Sequence, residues 1–320
     1  MMKKVVAGID IGGTFTKMGI VDREGKVLAD GSISTDAFPD LNEYLDELSG
    51  SVKILLSKSG ENIELQGIGV GAPNANYYNG TIENPPNLVW KTVVPMAKLI
   101  ASRFDVPVAI TNDANAAALG EMMYGDAGNM KNFIVLTLGT GLGGGFIVNG
   151  DVVYGHDGFA GEIGHINVHE NGRRCGCGRK GCLETYASAT GIKRTVLELL
   201  SKRNEESELR KIPAEGLTAK NIFEAAENGD KIGIKAFEMT GKILGKSLAD
   251  VVALFSPEAI FLLGGLALAG DYIFKPVKSH MEKNLLFNYK DKVKILPSGL
   301  ENNNPAVLGA AGLIWKELLD

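Results

Sequence analysis

Apolar and β-branched residues run together over residues 5–9, again over 15–21 and briefly over 26–28, separated by glycine-containing turns. Short runs bounded by turn signals predict strands, so the chain opens on a glycine-looped antiparallel unit. Leu41, Leu45, Leu48, Val52 and Leu55 then recur at helical spacing, and residues 66–71 return to a strand pattern. A helix is expected over 93–104 and a strand over 106–111. Asp113 falls where that strand ends and a helix through Ala116, Ala117, Ala118, Leu119 and Met122 begins. Its carboxylate is expected to project into a crevice, since ligands of α/β sheets gather at such strand ends.

The second half repeats this outline. A strand over 133–138 leads into the turn Gly139-Thr140-Gly141-Leu142-Gly143-Gly144-Gly145, followed by a strand over 146–148, the tight turn Asn149-Gly150-Asp151 and a strand over 152–154. Helices are expected over 189–202, 219–227 and 232–254. A strand over 259–263 runs into Gly264-Gly265; a helix over 273–286, a strand over 293–296 and a final helix over 306–319 complete the pattern. The recurrence of strand, glycine turn and strand predicts a duplicated α/β fold with two similar domains facing a cleft.

Composition narrows the class. At 320 residues and 34.0 kDa the chain has room for about two domains. Hydrophobic residues at 45% and charged residues at 22% are ordinary globular usage. A net charge of −5 lacks the positive excess that phosphate-backbone binding requires, which argues against nucleic acid. Lys3 and Lys4 precede an apolar run as in a signal peptide, but Asp10 interrupts it early. The most apolar later stretch, 260–269, is about half the length that spans a bilayer. A soluble, cytoplasmic protein without membrane contact is expected. The 41 glycines, clustered beside strand-like runs, suggest turns that approach a ligand closely.

Two glycine motifs are decoys. Gly139-Thr140-Gly141-Leu142-Gly143-Gly144 satisfies G-x-G-x-x-G, but a hairpin follows it where dinucleotide binding needs a helix. Gly241-Lys242-Ile243-Leu244-Gly245-Lys246-Ser247 approaches a P-loop, with its first glycine one position too close and a mid-helix pattern. What survives is two Gly-Thr turns, 10–14 and 137–141. Each alone fits ordinary hairpin chemistry; as a matched pair, their backbone N–H groups can surround phosphate oxygens, with Asp10 available to hold Mg²⁺ directly or through water. Cys175-Gly176-Cys177-Gly178-Arg179-Lys180-Gly181-Cys182 places all three cysteines within eight positions. An odd number without a secretory signal favours a structural metal site over disulfides. Zn²⁺ needs a fourth ligand, and spacing alone cannot choose among His156, His165 and His169.

Taken in order, Asp10-Ile11-Gly12-Gly13-Thr14, Asn112-Asp113-Ala114-Asn115, the 138–145 glycine turn, Gly161-Glu162-Ile163-Gly164-His165 and the cysteine segment through Glu184 span nearly the whole chain. This series resembles the ROK family of bacterial sugar kinases, repressors and related proteins, nearest to its glucokinases. The resemblance implies two actin-like, ribonuclease H-like domains hinged over a sugar and ATP cleft: a small one of residues 1–112 plus 305–320, and a large one of 113–304 carrying the zinc loop. It selects His165 as the fourth zinc ligand beside Cys175, Cys177 and Cys182. It implies Asp113 as catalytic base, and Asn87, Asn112, Asp113, Glu162, His165 and Glu184 as sugar contacts. Asp10, Gly12, Gly13, Thr14, Lys17, Thr137, Gly139, Thr140 and Gly141 match its phosphate loops, and Gly264 and Gly265 its adenosine-side turn, although Leu266-Ala267-Leu268 is more apolar there than the resemblance leads one to expect. On residues alone, Asp113 also fits a helix cap and Glu184 a surface position.

The implied activity is ATP-dependent phosphorylation of a hexose, D-glucose to glucose 6-phosphate first, by a homodimer. Kinases for N-acetylglucosamine, N-acetylmannosamine, fructose or allose are same-class alternatives. A sugar-responsive repressor is the alternative of a different class; with the first phosphate loop starting by Gly8, no DNA-reading segment is expected ahead of it. A non-catalytic sugar sensor is disfavoured by the intact Asp10, Asn112 and Asp113.

Overall fold

The computed structural model describes residues 2–300 and 304–319. Strands β1 (Lys3–Ile11), β2 (Phe15–Asp22) and β3 (Val27–Ser34) form an antiparallel meander. Helix α1 (Leu41–Lys58) then crosses back so that β4 (Ile63–Ala72) lies parallel to β1. A small antiparallel sheet of β5 (Ala75–Asn76), β6 (Thr81–Glu83) and β7 (Val93–Val94) follows, then α2 (Met96–Ala101) and β8 (Val108–Asn112), which extends the main sheet parallel to β4. The order is β3-β2-β1-β4-β8.

Helix α3 (Asp113–Tyr124) leads to the second sheet. Strands β9 (Phe133–Leu138), β10 (Leu142–Val148) and β11 (Asp151–Val152) again form a meander, followed by helices α4 (Ala189–Lys202), α5 (Ala219–Glu227) and α6 (Lys231–Phe255). Strand β12 (Ala259–Leu263) pairs parallel to β9; after α7 (Asp271–Asn284), β13 (Lys294–Pro297) pairs parallel to β12, and α8 (Pro305–Glu317) closes the chain. The order β11-β10-β9-β12-β13 reproduces that of the first sheet, so the expected duplication is present in the topology.

Two local differences from the sequence reading have clear causes. The helix expected over 93–104 begins only at Met96, because Val93 and Val94 pair with β6 and Pro95 then starts the helix. The turn after β10 is Asn149-Gly150 alone, with φ of +55° and +87°, which frees Asp151 to pair with Val148; β11 ends at Val152.

The helices that join the halves are exchanged. Although α3 follows the first sheet, its Ala117 and Ala118 pack on Phe133, Val135 and Phe261 of the second. Helix α8 follows the second sheet, yet Val307, Leu308, Ala311 and Ile314 pack on Val6 and Val21 of the first. The two helices meet backbone to backbone: a Cβ on Gly120 would lie 2.9 Å from the Gly309 Cα, and one on Gly309 would lie 2.6 Å from the Ala116 oxygen.

Candidate functional site

A cleft of about 600 Å³ opens where the two sheets face each other. Pro73, Asn74, Pro86 and Asn87 line it from the first half, Asn112 and Asp113 from the start of α3, and Thr137, Gly139, Thr140, Gly141, Glu162, His165 and Glu184 from the second half.

The β8–α3 junction places the polar pair. Asn112 keeps extended backbone geometry and caps α3, its Oδ1 accepting the Ala114 N–H at 2.8 Å. Its amide nitrogen keeps two donors free for a ligand. Asp113 is therefore the first helical residue and not the cap. One of its oxygens also accepts the Ala114 N–H, at 2.8 Å. Water reaches Asp113 through the cleft, while protein crowds the carboxylate on its other sides; desolvation raises its pKa above the ordinary 3.8, with backbone N–H donors opposing the rise.

Asp10, at the end of β1, adjoins Asp113: both stand close to Gly71, whose Cβ would lie 3.9 Å from the Asp10 carboxylate and 3.8 Å from the Asp113 Cα. Burial pushes Asp10 up from 3.8 to about 6, the negative charge of Asp113 adds to this, and Lys17, its cross-strand partner on β2, opposes it. Gly12 closes the first turn through its N–H to the Phe15 carbonyl at 3.0 Å, and Gly13 packs against the Asn87 backbone. The loop bearing Asn87 is held by the Lys91 ammonium, which donates to the Pro85 and Pro86 carbonyls. Asp10, Gly12, Gly13, Thr14 and Lys17 do not themselves line the cleft, whereas Gly139, Thr140 and Gly141 do. A Cβ on Gly139 would meet nothing within 4 Å, so its backbone is open to a visitor; one on Gly141 would meet the Glu184 carboxylate at 2.7 Å. Gly264 and Gly265 stand beside this turn, with the Leu266 N–H donating to the Leu138 carbonyl at 3.1 Å; neither glycine lines the cleft.

The segment from 165 to 182 folds back on itself through the Val168 N–H to the Gly181 carbonyl, 2.8 Å, and pairing of Asn167 with Cys182. The sulfurs of Cys175, Cys177 and Cys182 and a ring nitrogen of His165 consequently lie within 4.8 Å of one another. Cys177 and Cys182 are 3.7 Å apart at sulfur, and Cys175 Sγ is 3.6 Å from His165 Nδ1. Tetrahedral bonds of about 2.3 Å to sulfur and about 2.0 Å to nitrogen imply edges of about 3.8 and 3.5 Å, which these two separations match, so the donor set is one that could hold a soft ion. Burial pushes the Cys177 thiol up, but the Arg179 N–H and the adjacent thiols outweigh it and bring it to about 7. The other histidines do not reach the cluster: His169 packs against the Tyr186 ring at 5.0 Å, and His156 is exposed. Arg173 braces the loop, donating to the Thr185 and Gly191 carbonyls at 2.7 and 3.0 Å and pairing with Glu198 at 2.8 Å.

His165 connects this cluster to the cleft. Its Nε2 is 3.9 Å from Glu162 and its Nδ1 3.9 Å from Glu184, whose carboxylate also accepts the Cys175 thiol at 2.9 Å. Partial desolvation raises the Glu162 pKa; His165 opposes the rise, and Asp113 and Glu184 add to it.

Residues 6–317 match the model of the ROK family. The chain belongs to the ROK family. It is 36% identical to a glucokinase of Halalkalibacterium halodurans over 99% of its own length and 97% of the relative's. To a glucokinase of Streptomyces coelicolor it is 33% identical over 96% of each chain. In structure it resembles a ROK family glucokinase from Streptomyces griseus in complex with glucose and AMPPNP, with a TM-score of 0.80 and 31% identity over 97% of this chain and 98% of that one. The two matched five-stranded sheets are thus the actin-like fold of ROK sugar kinases. The cleft also contains residues that the sequence reading missed, among them Asn74, Ser188, Thr190 and Arg194. Asn74 was signalled by its place just past the end of β4 and Ser188 by opening α4; Thr190 and Arg194 follow no motif.

Proposed function

We infer that this chain is an ATP-dependent glucokinase, transferring the γ-phosphoryl group of ATP to the 6-hydroxyl of D-glucose. The observation that carries the reading is the Asp113 carboxylate, which lines the same cleft as Asn112, Glu162, His165 and Glu184. In the proposed reaction Asp113 takes the proton of the sugar 6-hydroxyl. The oxygen then bonds to the γ-phosphorus as the bond to the β–γ bridging oxygen breaks, and ADP leaves. Asn87, Asn112, Glu162, His165 and Glu184 bind and orient the sugar hydroxyls, offering both amide donors and carboxylate acceptors.

The open backbone at Gly139, with Thr137, Thr140 and Gly141, supports a place for the transferring phosphates, and Gly12, Gly13, Thr14 and Lys17 close on them from the other half. Gly264 and Gly265 are assigned to the adenosine side by their position next to that turn. Mg²⁺, for which Asp10 is the available carboxylate, would supply charge neutralisation across the phosphates. Zn²⁺ held by His165, Cys175, Cys177 and Cys182 would fix the imidazole and the loop behind the sugar. The convergence of those four donors within 4.8 Å of one another supports this assignment.

The exchanged packing of α3 and α8 supports hinged units of 1–112 with 305–320, and of 113–304; residues 1, 301–303 and 320 of that division lie outside the described residues. Among the described residues, no helix is long and apolar enough to cross a membrane. A cytoplasmic homodimer is proposed from the family resemblance. The test is ADP release from Mg-ATP with glucose, N-acetylglucosamine, N-acetylmannosamine, fructose, mannose and allose offered separately. Glucose should give the dominant rate; dominance of another hexose would replace the substrate, and silence on all would remove the kinase reading.

A further inference from the structure

We propose that Arg194 binds the polyphosphate chain of the nucleotide, an inference that rests on the kinase reading above. The cleft is electrostatically lopsided. Asp113, Glu162 and Glu184 gather negative charge where the sugar is placed, yet a nucleoside triphosphate brings further net negative charge into the cleft even with Mg²⁺ across its phosphates. Among the described residues lining the cleft, Arg194 is the one permanent cation; the other basic side chain, His165, is engaged by the cysteine cluster.

Arg194 lies on α4, which begins against the phosphate turn: the Ala189 N–H donates to the Gly139 carbonyl at 2.9 Å. Thr190 and Arg194, one helical turn apart, form the face of α4 that lines the cleft beyond Ser188. The neighbouring cations are committed elsewhere. Lys193 donates to the Glu215 carbonyl at 3.2 Å, and Arg173 is paired with Glu198 at 2.8 Å. Arg194 itself is half-buried, and its one hydrogen-bond partner among the described residues is the Arg174 carbonyl, 2.9 Å from Nη1. A guanidinium has five N–H donors, so this bond orients the fork and leaves most of it unused. A cation without a carboxylate partner, held by a neutral carbonyl at the wall of an acidic cleft, is suited to a phosphate oxyanion pair.

The test is calorimetric binding of Mg-AMPPNP, adenosine, glucose and glucose 6-phosphate to wild type, Arg194→Met and Arg194→Lys, with bound zinc and melting temperature measured in parallel. Losing charge-assisted hydrogen bonds to phosphate should weaken Mg-AMPPNP by about 10-fold to 100-fold in Arg194→Met. Adenosine and glucose should change by less than about twofold, and Arg194→Lys should recover part of the loss, as a point charge without the fork. Unchanged Mg-AMPPNP affinity would overturn the proposal, as would loss of every ligand together with zinc, which would make Arg194 a brace for the cysteine loop through Arg174. Selective loss of glucose 6-phosphate would move the contact to the product and overturn the nucleotide assignment. If Arg194→Met does not fold, Arg194→Lys decides, because a brace needs only one donor and would bind Mg-AMPPNP as wild type does. Wild type that binds no Mg-AMPPNP would instead remove the kinase reading on which the proposal stands.

Discussion

Asp10 offers a quantitative check on the electrostatics of the cleft. Its carboxyl stands at about 6 in the folded protein against an ordinary 3.8, raised by burial first and by Asp113 second, with Lys17 opposing. Over that interval the folded protein keeps a proton that the unfolded chain has released. The contribution of Asp10 is therefore intact below pH 3.8, is lost as pH rises towards 6, and stays lost above it. A rise from 3.8 to about 6 corresponds to about 3 kcal/mol, and the partial water access of Asp10 reduces this to about 2. Asp10→Asn has no charge to desolvate, so it should be more stable than wild type by about 2 kcal/mol at pH 8. The gap at pH 4.5 should be about one third as large. Urea unfolding of both proteins from pH 4.5 to 8, without nucleotide or Mg²⁺, measures the gap. Repeating the series on an Asp113→Asn background should shrink it, since one of its causes has gone. A gap that does not vary with pH, or a variant less stable at pH 8, would refute the argument.

Other consequences can be measured independently. Gly309→Ala drives a Cβ into the Ala116 backbone, 2.6 Å from its oxygen, where no flexible side chain can yield; it should cost about 1–3 kcal/mol in denaturant unfolding, and a neutral result would show that the α3–α8 crossing is loose. Elemental analysis should find one zinc per chain, and Cys182→Ser should lose it and raise the glucose KM more than it lowers kcat. Full glucose affinity in the zinc-free variant would separate the metal from the sugar pocket. Glucose should compact the protein in small-angle scattering as the halves close, and identical curves with and without sugar would count against a moving hinge.

What the sequence revealed and what it hid follow from how local the information is. Helices α4 and α5 were readable because their amphipathic spacing and the polar residues that open them, Ser188 and Thr218, lie within a few positions. The three cysteines were legible for the same reason, whereas the fourth donor was not. Which histidine turns toward the thiols depends on how the loop folds back over Gly181. The strand order of each sheet is non-local too and was not read from the sequence; the repeated strand, glycine turn and strand gave only the duplication of the fold. The small β5–β7 sheet escaped because strands of two or three residues carry no period, and Pro95 shortened a helix that the apolar spacing had lengthened. In the cleft, Asn87, Asn112, Glu162 and Glu184 are scattered over about a hundred residues. They were identified by resemblance to the family, since no spacing rule connects them. Arg194 and Thr190 had neither motif nor resemblance to point to them, because their significance comes from the face of α4 turned to the cleft.

The central claim is that Asp113 activates a glucose hydroxyl for phosphoryl transfer, and the most direct test is coupled ADP release by wild type and Asp113→Asn with glucose and Mg-ATP, alongside calorimetric glucose binding. The account predicts a kcat at least about 100-fold lower in the variant, with glucose binding nearly unchanged. Turnover by Asp113→Asn at the wild-type rate would contradict it.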